Sequence, residues 1–161
     1  MRAESWVFRG CVAALLAVVA LAVTGAGAHP PVGHPRVVWA GSGGLFVKSK
    51  LGSYCWTQGA SGQCADGAYP LKTRGRLPVD QRDRVTLLVP DPARKVRVSL
   101  VHVEGEQIDY LDWSRQARAA GEGHHRWRFR LPADLGDANV LEIFARYQQG
   151  DGDFWAGLDQ G

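Results

Sequence analysis

His125-Arg126-Trp127-Arg128-Phe129-Arg130-Leu131 decides the fold class. Trp127, Phe129 and Leu131 fall on one side of an extended chain, and three arginines fall on the other. That period of two marks a half-buried strand. Outward from this segment the same pattern recurs. Residues 85–89 form a short apolar run bounded by Asp83 and Pro90, and residues 95–103 alternate around Val96, Val98 and Leu100. Residues 140–147 and 154–158 are apolar runs joined by the glycine-rich stretch 148–153, which reads as a hairpin connection. Residues 132–137 read as the corner that precedes them. Only residues 114–120 predict helix, and no more than a turn or two of it. The sum is an all-β chain: an antiparallel Ig-like β-sandwich of seven or eight short strands. One departure from immunoglobulin domains is Leu141, which stands where their corner tyrosine is expected.

Residues 1–28 read as a cleaved signal peptide. Arg2 and Arg9 supply a positive start, residues 11–23 are apolar throughout, and Ala26-Gly27-Ala28 offers a cleavage site. The apolar run falls short of the roughly 20 residues of a stable bilayer span, so no membrane span is expected. Cleavage after Ala28 leaves 133 of the 161 residues and removes Arg2, Arg9 and Glu4, which takes the formal charge from +3 to +2. So small a charge gives no argument for nucleic acid. Residues 29–44, with prolines at 30, 31 and 35, read as an extended Pro/Gly-rich arm. Residues 45–161 are then a single sandwich domain of ordinary size.

Cys55 and Cys64 are the two cysteines beyond the leader. An even pair in an exported chain reads as a disulfide, and a loop this short stabilises a fold by about 2.7 kcal/mol on the chain-entropy estimate. Gly52-Ser53-Tyr54-Cys55-Trp56, then Cys64-Ala65-Asp66, then Tyr69-Pro70-Leu71, resembles a group of bacterial secreted proteins and lipoproteins of unsettled function. In that group a Gly-(Ser/Thr)-Tyr-(Cys/Ser)-Trp segment and a Cys-x-Asp segment precede a sandwich domain. The resemblance spans residues 45–161. It implies an extracytoplasmic location and the fold, with residues 77–80 as a linking strand and 85–161 as the sandwich. It brings no activity.

Three sets of residues carry candidate chemistry. Tyr54, Trp56 and Asp66 offer two aromatic faces and a carboxylate beside the disulfide loop, a surface suited to sugars or peptides; the competing reading is core packing for Trp56 and a turn for Asp66. His29, if freed as the N-terminal residue, presents an amine and an imidazole that suit copper(II), with His34 to complete the set; the competing reading is a permissive cleavage site. Arg126, Arg128 and Arg130 make a basic stripe that reads as a solvated face paired with local acids, or else as a seat for anionic envelope polymers. His124 and His125 enter a strand on opposite faces and so do not share an ion. No nucleophile elbow is present, since glycines directly flank Ser42.

The expected function is a secreted or extracytoplasmic, non-catalytic binding or structural module of the cell envelope or extracellular space. Its ligand is unspecified and no cofactor is required. The alternatives are a copper-binding protein using His29 and a carbohydrate-binding module.

Overall fold

The computed structural model describes residues 33–73 and 75–161. The expected signal peptide and His29 lie outside these residues. Twelve strands are present among the described residues: β1 (Trp39–Ser42), β2 (Leu45–Lys48), β3 (Lys50–Gln58), β4 (Ser61–Ala65), β5 (Arg76–Pro78), β6 (Arg84–Leu88), β7 (Ala93–Glu104), β8 (Gln107–Gln116), β9 (Arg118–Ala119), β10 (Arg126–Arg130), β11 (Val140–Tyr147) and β12 (Gly150–Asp159). They exceed the seven or eight strands expected, because short edge segments also pair, and they form two sheets. The first runs β2-β1-β6-β10-β9, and the second runs β4-β3-β12-β11-β7-β8. Every pairing is antiparallel except that of β5, which lies parallel to the end of β12.

The core between the sheets follows from the alternation in the sequence. Val85, Leu87, Trp127 and Phe129 face inward from the first sheet. Val96, Val98, Leu141, Ile143, Phe154 and Ala156 meet them from the second. At about 1.5–3 kcal/mol for each large apolar side chain, burial of these residues dominates the stability of the body. A smaller cluster, Leu71, Val101, Val140 and Trp155, lies apart from it.

One sequence expectation is corrected by how the chain crosses between sheets. Residues 114–120 are not helical; Ser114 to Gln116 pair with Arg97 to Ser99 at the end of β8. Ala117 then drops into the core, 2 % exposed, and Arg118 opens β9 in the other sheet. Core burial at Ala117 overrides a local helical preference that was weak to begin with. Within residues 29–44 the sequence also allows a first strand over 36–40 that the glycines 41–44 break, and β1 lies there, paired on both sides, to β2 and to β6. Gly43 and Gly44, with φ of 55° and 90°, form the two-residue hairpin turn between β1 and β2. Positive φ at both positions is what such a turn demands. The return crossing is fixed by Ser49, whose backbone N–H and hydroxyl both donate to the Val38 carbonyl, at 3.0 and 2.6 Å.

The hairpin between the two C-terminal runs is tighter than expected. β12 begins at Gly150, so Gly150 to Asp153 are strand and not loop. A Cβ on Gly150 would sit 1.9 Å from the Cys55 carbonyl oxygen, so glycine is required by close approach to β3. Leu77 and Pro78 of the expected linking segment 77–80 lie in the parallel strand β5.

Candidate functional site

The Gly52-Ser53-Tyr54 segment sits at a β-bulge. Gly152 pairs with Tyr54 and Phe154 pairs with Leu51, so Gly52 and Ser53 together oppose the single residue Asp153. The Ser53 N–H donates to the Tyr69 hydroxyl at 3.1 Å. Tyr69 in turn donates to Asp153 Oδ2 at 2.5 Å, and Trp155 Nε1 donates to the same oxygen at 3.1 Å. The Gly67 N–H closes the circle by donating to Ser53 Oγ at 3.2 Å. Gly52 is glycine because the lock lies directly on it: a Cβ there would come within 2.5 Å of both the Tyr69 and Asp153 oxygens. Partial burial and the bond to Asp153 push the Tyr69 hydroxyl above its usual range. That hydroxyl holds its proton and donates it in a hydrogen bond; it is not poised as a base or a nucleophile. The bulge lock explains most of the Gly-Ser … Tyr-Pro signature as structure. Tyr69 and Asp153 were not singled out as partners in the sequence, because they are 84 residues apart and nothing local links them.

The three residues of the expected aromatic surface differ in exposure. Trp56 is 9 % exposed and stacks edge-on against Tyr147 with ring centroids 5.1 Å apart, so it packs into the core. Tyr54 is half-buried beside it, and Asp66 is exposed in the segment after β4. Cys55 and Cys64 are cross-strand partners of the β3–β4 hairpin and are joined by a disulfide with an S–S distance of 2.03 Å. The disulfide therefore braces the edge hairpin of the second sheet.

The histidines are dispersed. His34 is exposed, with Nδ1 3.1 Å from the Pro35 carbonyl and its ring 6.1 Å from that of Tyr54. It borders a recess of about 290 Å³ that also takes in Lys48, Lys50 and Lys72. His124 and His125 reach different carbonyls, those of Ala93 and Val89. No group of three or more His, Cys, Asp or Glu side chains suited to one ion forms among the described residues.

A different surface gathers the strongest charge. The outer face of the first sheet carries Arg84 from β6 and Arg126, Arg128 and Arg130 from β10, with Arg118 opposite Arg128 on β9. Arg115 from the end of β8 joins Arg84, Arg118, Arg128 and Arg130 along a groove of about 870 Å³, and Arg126 lines a neighbouring recess with Arg84 and Arg128. All six side chains are on exposed residues. The expectation that local acids neutralise this stripe is not met: among the described residues, no carboxylate lies within 4.0 Å of any of these guanidinium groups, whereas Arg36 is paired with Asp91 at 2.7 Å. The alternation 126–130 signals three of the six. Arg84, Arg115 and Arg118 come from separate strands and join only through the fold.

The chain matches no family model, no curated protein and no solved structure.

Proposed function

We propose that the chain is an exported, non-catalytic binding module with an Ig-like two-sheet body, and that its ligand is an anionic polymer. One observation supports the ligand class: five arginines of one sheet face, with Arg115 from the neighbouring sheet edge, gather without a carboxylate partner among the described residues. A folded chain with a formal charge of only +3 has acids enough to neutralise such a face, and here they lie elsewhere. Like charges held at strand spacing repel one another, at a cost that a bound polyanion relieves. Along β10 the arginines recur about every 6.6–6.8 Å, and neighbouring strands add cations about 4.8 Å to either side. A planar guanidinium also offers a two-pronged donor that matches a carboxylate or phosphate. Export is supported by the leader-like residues 1–28 and by a disulfide of the kind that persists in oxidising compartments.

The test is calorimetric titration of the exported chain with polygalacturonate and with polyphosphate at two salt concentrations. Affinity is expected for both, falling as salt rises, and lost when Arg126, Arg128 and Arg130 are replaced together by Gln. Wild-type protein that binds neither polymer at low salt refutes the reading. An independent check is the mass of the protein recovered outside the cytosol: a chain still carrying residues 1–28, with free thiols at Cys55 and Cys64, refutes export.

A further inference from the structure

We propose that the polymer is a polysaccharide of acidic sugars, with ring faces resting on Trp39 and carboxylates held by Arg126 and Arg128. This rests on the polyanion reading above and adds the identity of the repeating unit.

The arginine face does not end at β6. Cross-strand partners project to the same side of a sheet, and two rows run unbroken across it. One row is Lys48, Trp39, Leu88 and Arg126. The next is Phe46, Gly41, Thr86, Arg128 and Arg118. Trp39 is 40 % exposed and Phe46 is 42 % exposed, while Trp56, Trp127 and Trp155 are buried. The Phe46 ring fills the space over Gly41, where a Cβ would meet it at 2.4 Å, so part of its exposure serves to cover a bare strand position. Trp39 has no such covering role evident, and two strand steps, about 9.6 Å, separate its backbone from that of Arg126.

One flat face therefore offers an aromatic half and a cationic half. A polymer of charge alone has no use for the indole. A polymer of acidic pyranose rings uses both halves, since its C–H faces lie on an aromatic surface while its carboxylates accept from guanidinium groups. A lipid surface is a poorer match. Leu45, the most exposed large apolar residue among the described residues at 61 %, pairs with the inward-facing Ser42, so it projects from the other side of the sheet than Phe46. The apolar side chains thus do not form one tip for insertion. Nucleic acid also combines rings with charge, but a disulfide is of the kind that persists outside the cytosol, away from most of a cell's nucleic acid.

The experiment compares wild type, Trp39→Gln and Trp39→Phe by calorimetry against polygalacturonate, polyphosphate, oligothymidylate and phosphatidylglycerol vesicles. Circular dichroism confirms that each variant is folded. Trp39→Gln is expected to weaken polygalacturonate binding about tenfold. It should change polyphosphate binding by less than about twofold, since that polymer uses only the cations. Trp39→Phe is expected to recover most of the loss. Equal effects of Trp39→Gln on polygalacturonate and polyphosphate, or no effect on either, overturn the sugar assignment while leaving the polyanion reading standing. Tighter, Trp39-dependent binding to oligothymidylate or to vesicles overturns it in favour of nucleic acid or membrane. Absence of binding to every probe refutes both.

Discussion

Replacing Tyr147 by Phe should make this protein more stable. Tyr147 is 3 % exposed, and its hydroxyl has no hydrogen-bond partner among the described residues. A buried hydroxyl without a partner costs about 1–3 kcal/mol in lost hydration. Its removal leaves a void of one oxygen atom, worth only a few tenths of a kcal/mol at about 24 cal/mol per Å³. The edge-on contact with Trp56 is kept, because phenylalanine presents the same ring. The net expectation is a gain of about 1–2 kcal/mol, or roughly 3–8 °C in Tm for a body of this size. Urea unfolding at pH 7 measures it. A second signature separates this cause from generic repacking. Burial, with Asp91 nearby, pushes the Tyr147 hydroxyl far above its ordinary value. A group raised on folding contributes stability that is fully present below its unfolded pKa, about 10, and is lost as pH climbs towards the folded value. Wild type should therefore lose about 1.4 kcal/mol more than Tyr147→Phe for each pH unit above 10. Tyr69 and Tyr110 are raised as well, but they contribute equally to both proteins. If Tyr147→Phe is instead destabilised by 1 kcal/mol or more (on the order of one lost hydrogen bond), the hydroxyl is satisfied in solution and the reasoning fails.

Three further perturbations test the framework around the bulge and the corner. Gly52→Ala should force apart the Tyr69–Asp153 pair and cost about 2–3 kcal/mol in urea unfolding; a loss below about 0.5 kcal/mol would mean that the lock carries no stability. Replacing Cys55 and Cys64 together by Ser should cost up to about 2.7 kcal/mol, with the largest rise in amide exchange in β3 and β4; uniform acceleration across both sheets would contradict a local brace. Asn139 clamps the edge of β7, accepting from the Val103 N–H at 2.9 Å and donating to the Val103 carbonyl at 2.8 Å. Asn139→Ala should cost about 2–3 kcal/mol and Asn139→Asp about half of that, and identical losses for the two would show that the donor half of the clamp is idle.

What could be read from the sequence, and what could not, divides along a physical line. Strands with one face in the core, such as Arg126–Arg130 and residues 95–103 of β7, announced themselves because burial imposes a period of two. The edge strand β8 did not, since its residues are half-buried at best and its alternation slips phase between Tyr110 and Leu111, where the pairing with β7 is irregular. The start of β12 looked like a loop because Gly150 and Gly152 are small for the benefit of β3, a constraint written in a different part of the chain. The disulfide was legible once the leader-like residues 1–28, with Cys11, were set aside, because an even pair then remained. Trp56 illustrates the limit on sites: its neighbours Tyr54 and Cys55 made it resemble a recognition residue, yet the partner that decides its role, Tyr147, is distant in sequence and holds it in the core.

The same line explains why the arginine face outweighs the cysteine loop as a working surface. Residues that satisfy one another have their chemistry already spent: Tyr69, Asp153, Ser53 and Trp155 bond among themselves, and Asn139 is consumed by Val103. Arg84, Arg115, Arg118, Arg126, Arg128 and Arg130 are the opposite case, donors in a fixed array with no carboxylate within reach among the described residues. A fold tolerates such an array because exposed charges are well hydrated, and repulsion at these spacings costs a few tenths of a kcal/mol per pair, by analogy with the like-charge pairs of exposed helices. That modest cost is what a polyanion removes on binding. The affinity should therefore fall steeply with salt while the stability of the free protein rises slightly over the same range. Opposite salt responses of binding and folding, measured on one sample, would be the signature of a face kept under electrostatic tension for a ligand.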